Sequence, residues 1–158
     1  MPRKTTKSLK RIVEPDLRYG NVLVTKMTNK MMRDGKKRLA ESLLYSALEQ
    51  AEDKAKAPAL EVFETALKNV GPSIQVKAKR IGGATYQVPI EVRGDRKIHL
   101  AMMWILQAAR SKSGRSFDRL LAEEFIAAFN GTGDAVRKRD EVHKMAEANK
   151  AFAHFARY

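Results

Sequence analysis

Four cations crowd one turn of this chain: Arg33 precedes Asp34-Gly35, and Lys36, Lys37 and Arg38 follow at once. Lys and Arg at such spacing hold phosphate oxygens well and do little else. A second group lies in the stretch IQVKAKRIGGATYQVPIEVRG, where Lys77, Lys79, Arg80 and Arg93 lead on to Arg96 and Lys97. A third lies in MPRKTTKSLKRIV, where Arg3, Lys4, Lys7, Lys10 and Arg11 occur with no acid among them. The whole chain of 158 residues has 31 Lys and Arg against 18 Asp and Glu, a net charge of +13. Residues 57–72 carry one Lys against two Glu, so the excess is concentrated rather than spread. Three cationic stretches in one chain point to a polyanionic partner, nucleic acid before an anionic membrane surface.

Other chemistries lack their residues. There is no cysteine, which excludes disulfides, thiolate zinc sites and cysteine nucleophiles. His99, His143 and His154 do not have metal-ligand spacing, and no Walker-type loop is present; Gly82-Gly83 reads as a turn. The acidic pairs Glu123-Glu124 and Asp140-Glu141 read as solvated helix faces. No apolar run approaches the roughly 20 residues of a membrane span. The expectation is therefore of no catalytic residue, no metal, no cofactor, no small-molecule substrate and no membrane, hence not an enzyme. The acid-free N-terminus has no hydrophobic signal core; a nucleic-acid-binding arm and an organellar transit segment both account for it.

The elements that must position these cations are mainly helical. Val22, Leu23, Val24, Met27, Met31 and Met32 define a first helix from about Asn21 to Arg33, stopped at Asp34-Gly35. Leu39, Leu43, Leu44, Ala47, Leu48 and Ala51 stripe a long second helix. Pro58 opens a third in its first turn, and Gly71-Pro72 closes it. Asp95 is a plausible N-cap for a fourth, with Ile98, Ala101, Met102, Ile105, Leu106 and Ala109 inward. Ser116 caps a fifth, which ends at Asn130-Gly131. A sixth runs from about Asp134 to near Lys150 on a thin stripe of Val142, Met145 and Ala146. The tail AFAHFARY has three aromatics that dock either on the body or on a neighbour.

Between the third and fourth helices the period changes to two, which predicts a β-hairpin at about 74–92. The apolar residues are even-numbered on both strands. A two-residue Gly82-Gly83 turn would pair Ile81 with Ala84 and set apolar residues opposite polar ones. A three-residue loop, or a longer one of odd length, avoids this; the three-residue loop puts Ala78 opposite Tyr86. Lys77 and Lys79 then share one face with Gln75, Thr85 and Gln87, and the even face is covered.

The stretch NVLVTKMTNKMMRDGKKRLAESLLYSA, with VKAKRIGGATYQVPIEV and SFDRLLAEEFIAAFNGTGDAVRKRDEVHKMAEANKAFAHFARY, resembles the small-subunit ribosomal protein seven family, bacterial type. The resemblance spans nearly the whole chain. It implies a mainly α fold: a basic arm at residues 1–13, then one RNA-binding domain at 14–158 of about six helices with an extended hairpin arm. It implies a structural constituent of the small ribosomal subunit that binds the 3′ major domain of its rRNA and nucleates assembly of the subunit head. Further partners implied are transfer RNA and messenger RNA at the exit site and neighbouring proteins, including platform protein eleven. The location implied is a cytoplasmic ribosome, or a chloroplast-encoded counterpart. Carried onto this chain, the rRNA-binding residues are Arg3, Lys4, Lys7, Lys10 and Arg11 in the arm, and Lys30, Arg33, Lys36, Lys37 and Arg38 at the corner. They continue with Lys77 and Lys79 in the hairpin, Arg93, Arg96, Lys97 and Arg110 in the fourth helix, and Lys112 and Arg115 beyond it. The tip, Arg80, Ile81, Gly82, Gly83 and Ala84, lies near the exit site. An architectural DNA-binding protein with a basic β-arm and Ile81 as its wedge is the alternative from composition alone.

Overall fold

A computed structural model describes residues 12–157 of the chain. Six α-helices form its body: α1 Val22–Met31, α2 Lys37–Ala55, α3 Ala59–Val70, α4 Gly94–Ser111, α5 Phe117–Phe129 and α6 Asp134–Ala148. Strands β1 Ile74–Ile81 and β2 Ala84–Glu91 form the hairpin between α3 and α4, and a 3₁₀ segment, Lys150–Arg157, follows α6. The mainly helical fold with one hairpin between the third and fourth helices is the one expected.

Helix ends follow local chemistry. Asn21 caps α1 by accepting from the Leu23 N–H at 2.7 Å. Asp34 and Gly35, with φ of 52° and 72°, turn the chain into α2. Two starts differ by a residue or so. Pro58 is the N-cap of α3 rather than its first-turn residue, and Arg93 rather than Asp95 is the N-cap of α4. In the second case Gly94, at φ of 52°, makes the bend out of β2, so the helix begins before Asp95. Asp95 instead pairs with Lys26 of α1 at 3.1 Å.

α5 is the centre of the body and touches α2, α3, α4 and α6. Phe125 meets Phe63 of α3 edge-on, ring centroids 5.6 Å apart. Both rings are fully buried, with Leu44, Leu48, Met102, Ile105 and Leu121. Not every expected stripe residue turns inward: Leu39 is 57% and Met145 47% exposed. The segment before α1 is tied down by Asp16, whose carboxylate accepts from the Tyr45 hydroxyl at 2.6 Å and from the Arg18 and Tyr19 N–H groups. Burial, then the Asp16 hydrogen bond, push the Tyr45 hydroxyl up in pKa.

Glu124 corrects the reading of a solvated acidic face, because its side chain is 0% exposed. Its Oε1 accepts the Ala135 N–H at the start of α6 at 2.8 Å, and its Oε2 accepts from Lys112 Nζ, after α4, at 2.6 Å. Burial works against the Lys112 charge, but Glu124 and Asp134 outweigh it and hold the ammonium above its ordinary pKa. Gly133 makes room for this. A Cβ there would come within 2.9 Å of the Ala127 Cβ and 3.0 Å of Glu124 Oε1, and its φ is 96°.

The hairpin register overturns the three-residue loop. Ile81 pairs with Ala84 across a two-residue turn, Lys79 faces Tyr86, Lys77 faces Val88 and Ala78 faces Gln87. Gly82 and Gly83 have φ of 57° and 90°, the left-handed pair that a tight hairpin turn needs to match strand twist. Thr85 and Gln87 therefore lie on the face opposite Lys77 and Lys79. The covered face carries Tyr86 and Val88 from β2 and the Lys79 stem from β1. The C-terminal 3₁₀ segment makes this possible. Phe152 and Phe155 pack on Tyr86 at 5.3 and 5.1 Å, and Lys79 Nζ donates to the Phe155 and Ala156 carbonyls at 3.2 Å. A lysine can face inward there because its head meets carbonyl oxygens at the segment's end. Phe152 and Phe155 of the tail thus dock on the chain's own hairpin, and Tyr158 lies outside the described residues.

Two measurements check these contacts. Glu124→Ala strands Lys112 and the Ala135 N–H and should cost about 3 kcal/mol in urea unfolding; a cost under about 1 kcal/mol would show the network to be dispensable. Asp118 is held down to about 2, first by a hydrogen bond from Ser116 and, against the opposing effect of burial, by further hydrogen bonds from Ser46, Gln50 and the Arg119 N–H. A depressed carboxyl contributes fully above its unfolded pKa and loses its contribution as pH falls through the folded value. Asp118→Asn should flatten the fall of unfolding free energy between about pH 4 and pH 2, and an unaltered slope across that window contradicts the assignment.

Candidate nucleic-acid interface

The end of α1, the start of α2 and one side of α4 form a single cationic surface. The α1–α4 contact brings Lys30 within 2.7 Å of His99 Nδ1, an acceptor in the neutral ring, and seats Lys26 against Asp95. Lys26, Asn29, Lys30, Asp95, Ile98 and His99 line a cleft of about 250 Å³ between the two helices. Arg110, at the far end of α4, donates to the Met31 carbonyl at 3.0 Å, so a guanidinium answers the negative end of α1. Beyond the turn, Lys36 is the N-cap of α2, whose first N–H groups add positive potential beside Lys37 and Arg38.

Apart from the Lys26–Asp95 and Lys37–Glu41 pairs, like charges meet here without neutralisation. Burial and then Lys30 and Arg96 lower the pKa of His99. Burial and Arg96 do the same to Lys30, and burial and Arg33 to Arg110. Among the described residues, none of Lys30, Arg33, Lys36, Arg38, Arg96 and Arg110 forms an ion pair with a carboxylate. A cationic surface that depresses its own pKa values is stabilised by an incoming anion. The opposite trend holds further along α2 and α3, where Glu49, Glu52, Asp53, Glu61 and Glu64 accumulate.

The expected binding residues divide by position. Arg33, Lys36, Lys37 and Arg38 are exposed together at the corner, Lys37 reaching back to Glu41 at 3.6 Å. Lys30, Arg96 and Arg110 join them through the α1–α4 contact. Lys77 and Arg80 are exposed on the hairpin, whereas Lys79 is engaged by the C-terminal carbonyls. Lys97 lays its stem over Gly71, where a Cβ would come within 2.9 Å of it. Arg93 pairs with Glu91 and Arg115 with Glu123, and Lys112 holds the buried Glu124. Arg3, Lys4, Lys7, Lys10 and Arg11 lie outside the described residues. The hairpin tip, Arg80 to Ala84, is the Gly82-Gly83 turn with the residues that flank it. Neither Lys26 nor His99 is among the binding residues expected from the sequence. The spacing of Lys26, Lys30 and Arg33, one turn apart on a helix, was the available signal for the first. No local pattern marks the second, which depends on α1 meeting α4.

A helical body with an uncompensated cationic face, extended by a two-stranded arm with exposed Lys77 and Arg80, defines a nucleic-acid-binding class of protein. Residues 2–150 match the family described as Ribosomal protein S7p/S5e. The chain is 52% identical over 157 residues to a Chloroflexus aggregans protein named small ribosomal subunit protein uS7, covering 99% of each. A Roseiflexus castenholzii protein of the same name is 49% identical over 158 residues, the full length of both. One from Kosmotoga olearia is 54% identical over 149 residues, 94% of this chain and 96% of the relative. The chain belongs to the ribosomal protein S7p/S5e family. No helix among the described residues is long and apolar enough to cross a membrane.

The His99 environment gives a direct check. Its imidazole should titrate below the ordinary histidine value in an NMR pH series, and Arg96→Ala should move it upward by removing a like charge. A His99 that titrates like an exposed histidine in both proteins contradicts the geometry.

Proposed function

We propose that this chain is a structural component of the small ribosomal subunit and binds small-subunit rRNA through the face built from the end of α1, the start of α2 and α4. The observation that carries the reading is the unpaired cluster Lys30, Arg33, Lys36, Arg38, Arg96 and Arg110, in a chain whose relatives are named for the small ribosomal subunit. Double-stranded RNA offers side chains little in its deep, narrow major groove, so the face reads phosphate path and RNA shape more than base edges. Lys77 and Arg80 add exposed cations on opposite faces of the hairpin.

In this reading the RNA is the 3′ major domain, and early binding of the chain there nucleates the subunit head. Residues 1–13 act as a basic arm onto RNA and 14–158 as the binding domain. The hairpin tip, Arg80 to Ala84, lies by the exit site near transfer RNA and messenger RNA. The C-terminal helix lies towards the exit site as well, the C-terminal end faces platform protein eleven, and the site of action is the cytoplasmic ribosome or that of a chloroplast-encoded counterpart. The resemblance supports these finer assignments. Lys79, Lys112, Arg93 and Arg115 have internal partners, so they contribute less to RNA affinity than the corner does.

The test is a salt titration of binding to a 3′ major domain transcript, with duplex DNA and an unrelated structured RNA as competitors. Binding that survives both competitors is expected; equal binding to all three overturns the reading in favour of nonspecific polyanion attachment. Within the same assay, Lys36→Ala with Arg38→Ala should lower the slope of log affinity on log salt by roughly 0.7–0.9 for each phosphate that is no longer neutralised. Lys54→Ala with Lys56→Ala, at the far end of α2, should leave the slope unchanged. Equal effects of the two pairs would place the interface elsewhere.

A further inference from the structure

Beside the corner lies a cleft of about 330 Å³ whose character differs from the charged surface around it. Its floor and wall are Met32, Leu39, Leu43 and Phe117, from the end of α1, the start of α2 and the start of α5. Its rim carries Arg33, Lys36 and Arg110, with Asp34 as the one carboxylate. Leu39 is 57% exposed, although the helical period that governs α2 would turn it towards the core. An apolar cleft of this size ringed by cations is unsuited to an A-form helix, which presents backbone and shallow base edges. It is suited to a ligand with a flat apolar centre and an anionic edge.

Resting on the reading of this face as RNA-binding, we infer that the cleft accepts one unpaired nucleobase of the bound RNA, with its flanking phosphates on Arg33, Lys36 and Arg110. Cleft volume and chemistry match those of small-ligand sites, mostly apolar with a few placed polar groups. Arg110 is pre-positioned, since its bond to the Met31 carbonyl fixes the guanidinium at the cleft edge and leaves other N–H groups to donate. The repulsion that Arg33 exerts on Arg110 is relieved by a phosphate between them. Phe117 and the methionine thioether offer the soft, polarisable surface on which a base face packs regardless of its identity. The site therefore distinguishes an unpaired nucleotide from a paired one and does not read sequence. An acidic peptide with an apolar side chain is the competing occupant; it would bring its own carboxylates to the same rim.

The experiment uses the full chain with ¹³C-labelled methionine methyls. Single-stranded oligoadenylate, a blunt-ended RNA duplex and a peptide alternating Leu and Asp are titrated separately. The single strand should shift the Met31 and Met32 methyls and give contacts between base protons and the Phe117 ring, while the duplex leaves those methyls in place. Methyl shifts produced by the peptide and not by the single strand, or by neither, overturn the inference. Leu39→Ala removes the wall without removing charge. It should weaken single-strand binding by roughly five-fold or more while preserving the salt slope. Unchanged affinity for Leu39→Ala overturns base insertion. The single-strand result stands apart from rRNA specificity: if the 3′ major domain transcript proves to bind no better than competitors, the ribosomal assignment falls while methyl shifts and base contacts still establish the nucleotide site.

Discussion

The Glu124 carboxylate, out of water in the middle of the helical body, decides where the C-terminal third of the chain goes. Such a group is tolerated only where charge and hydrogen bonds meet it on every side. Lys112 arrives from the loop after α4 and the Ala135 N–H from the first turn of α6, so one residue of α5 ties three helices to each other. α6 in turn reaches the base of the hairpin, where His143 Nε2 accepts the Ser73 N–H at 3.2 Å. The segment after α6 then lies on β2. The arm's covered face is thus built outward from a buried ion pair rather than from the hairpin's own strands, which alone are marginal.

Charge is managed in two ways on this protein. Where cations serve the fold, each has a partner: Lys112 with Glu124, Lys79 with backbone carbonyls, Arg139 with Asp140 at 2.6 Å. At the corner and along α4 they face one another instead, with pKa values lowered in Lys30, His99 and Arg110. The alanine-rich core offsets that repulsion, because Ala47, Ala51, Ala66, Ala101, Ala109 and Ala128 let the helices approach closely and bury the larger residues between them. Repulsion kept on a rigid face is a standing free-energy bias towards an anion.

Helix periodicity made α1 to α6 legible, as did the glycines and prolines between them. The corner was also legible, since its cations are contiguous. What failed were questions answered by distant neighbours. A uniformly apolar covered face requires an odd-length loop, whereas the face that forms includes Lys79 and closes on the two-residue Gly82-Gly83 turn. The C-terminal carbonyls that receive Lys79 lie 76 and 77 residues away, beyond the reach of any local pattern. Glu124 read as solvated because a helix stripe does not announce a helix start docking beside it. Lys26 and His99 belong to the face only through the α1–α4 crossing, which joins residues 69 apart.

The two-residue turn also constrains how the arm can change length over evolutionary time. Pairing is counted from the base, where Ile74 faces Glu91, so a residue added to each strand near the tip leaves the packing against the C-terminal segment in place. Each matched addition lengthens the ribbon by about 3.4 Å. A residue added to one strand alone forces a bulge or slips the register, and a slip carries Lys79 or Tyr86 to the opposite face. Growth of the arm is thus restricted to even increments, and within them its reach and the chemistry of its root vary independently.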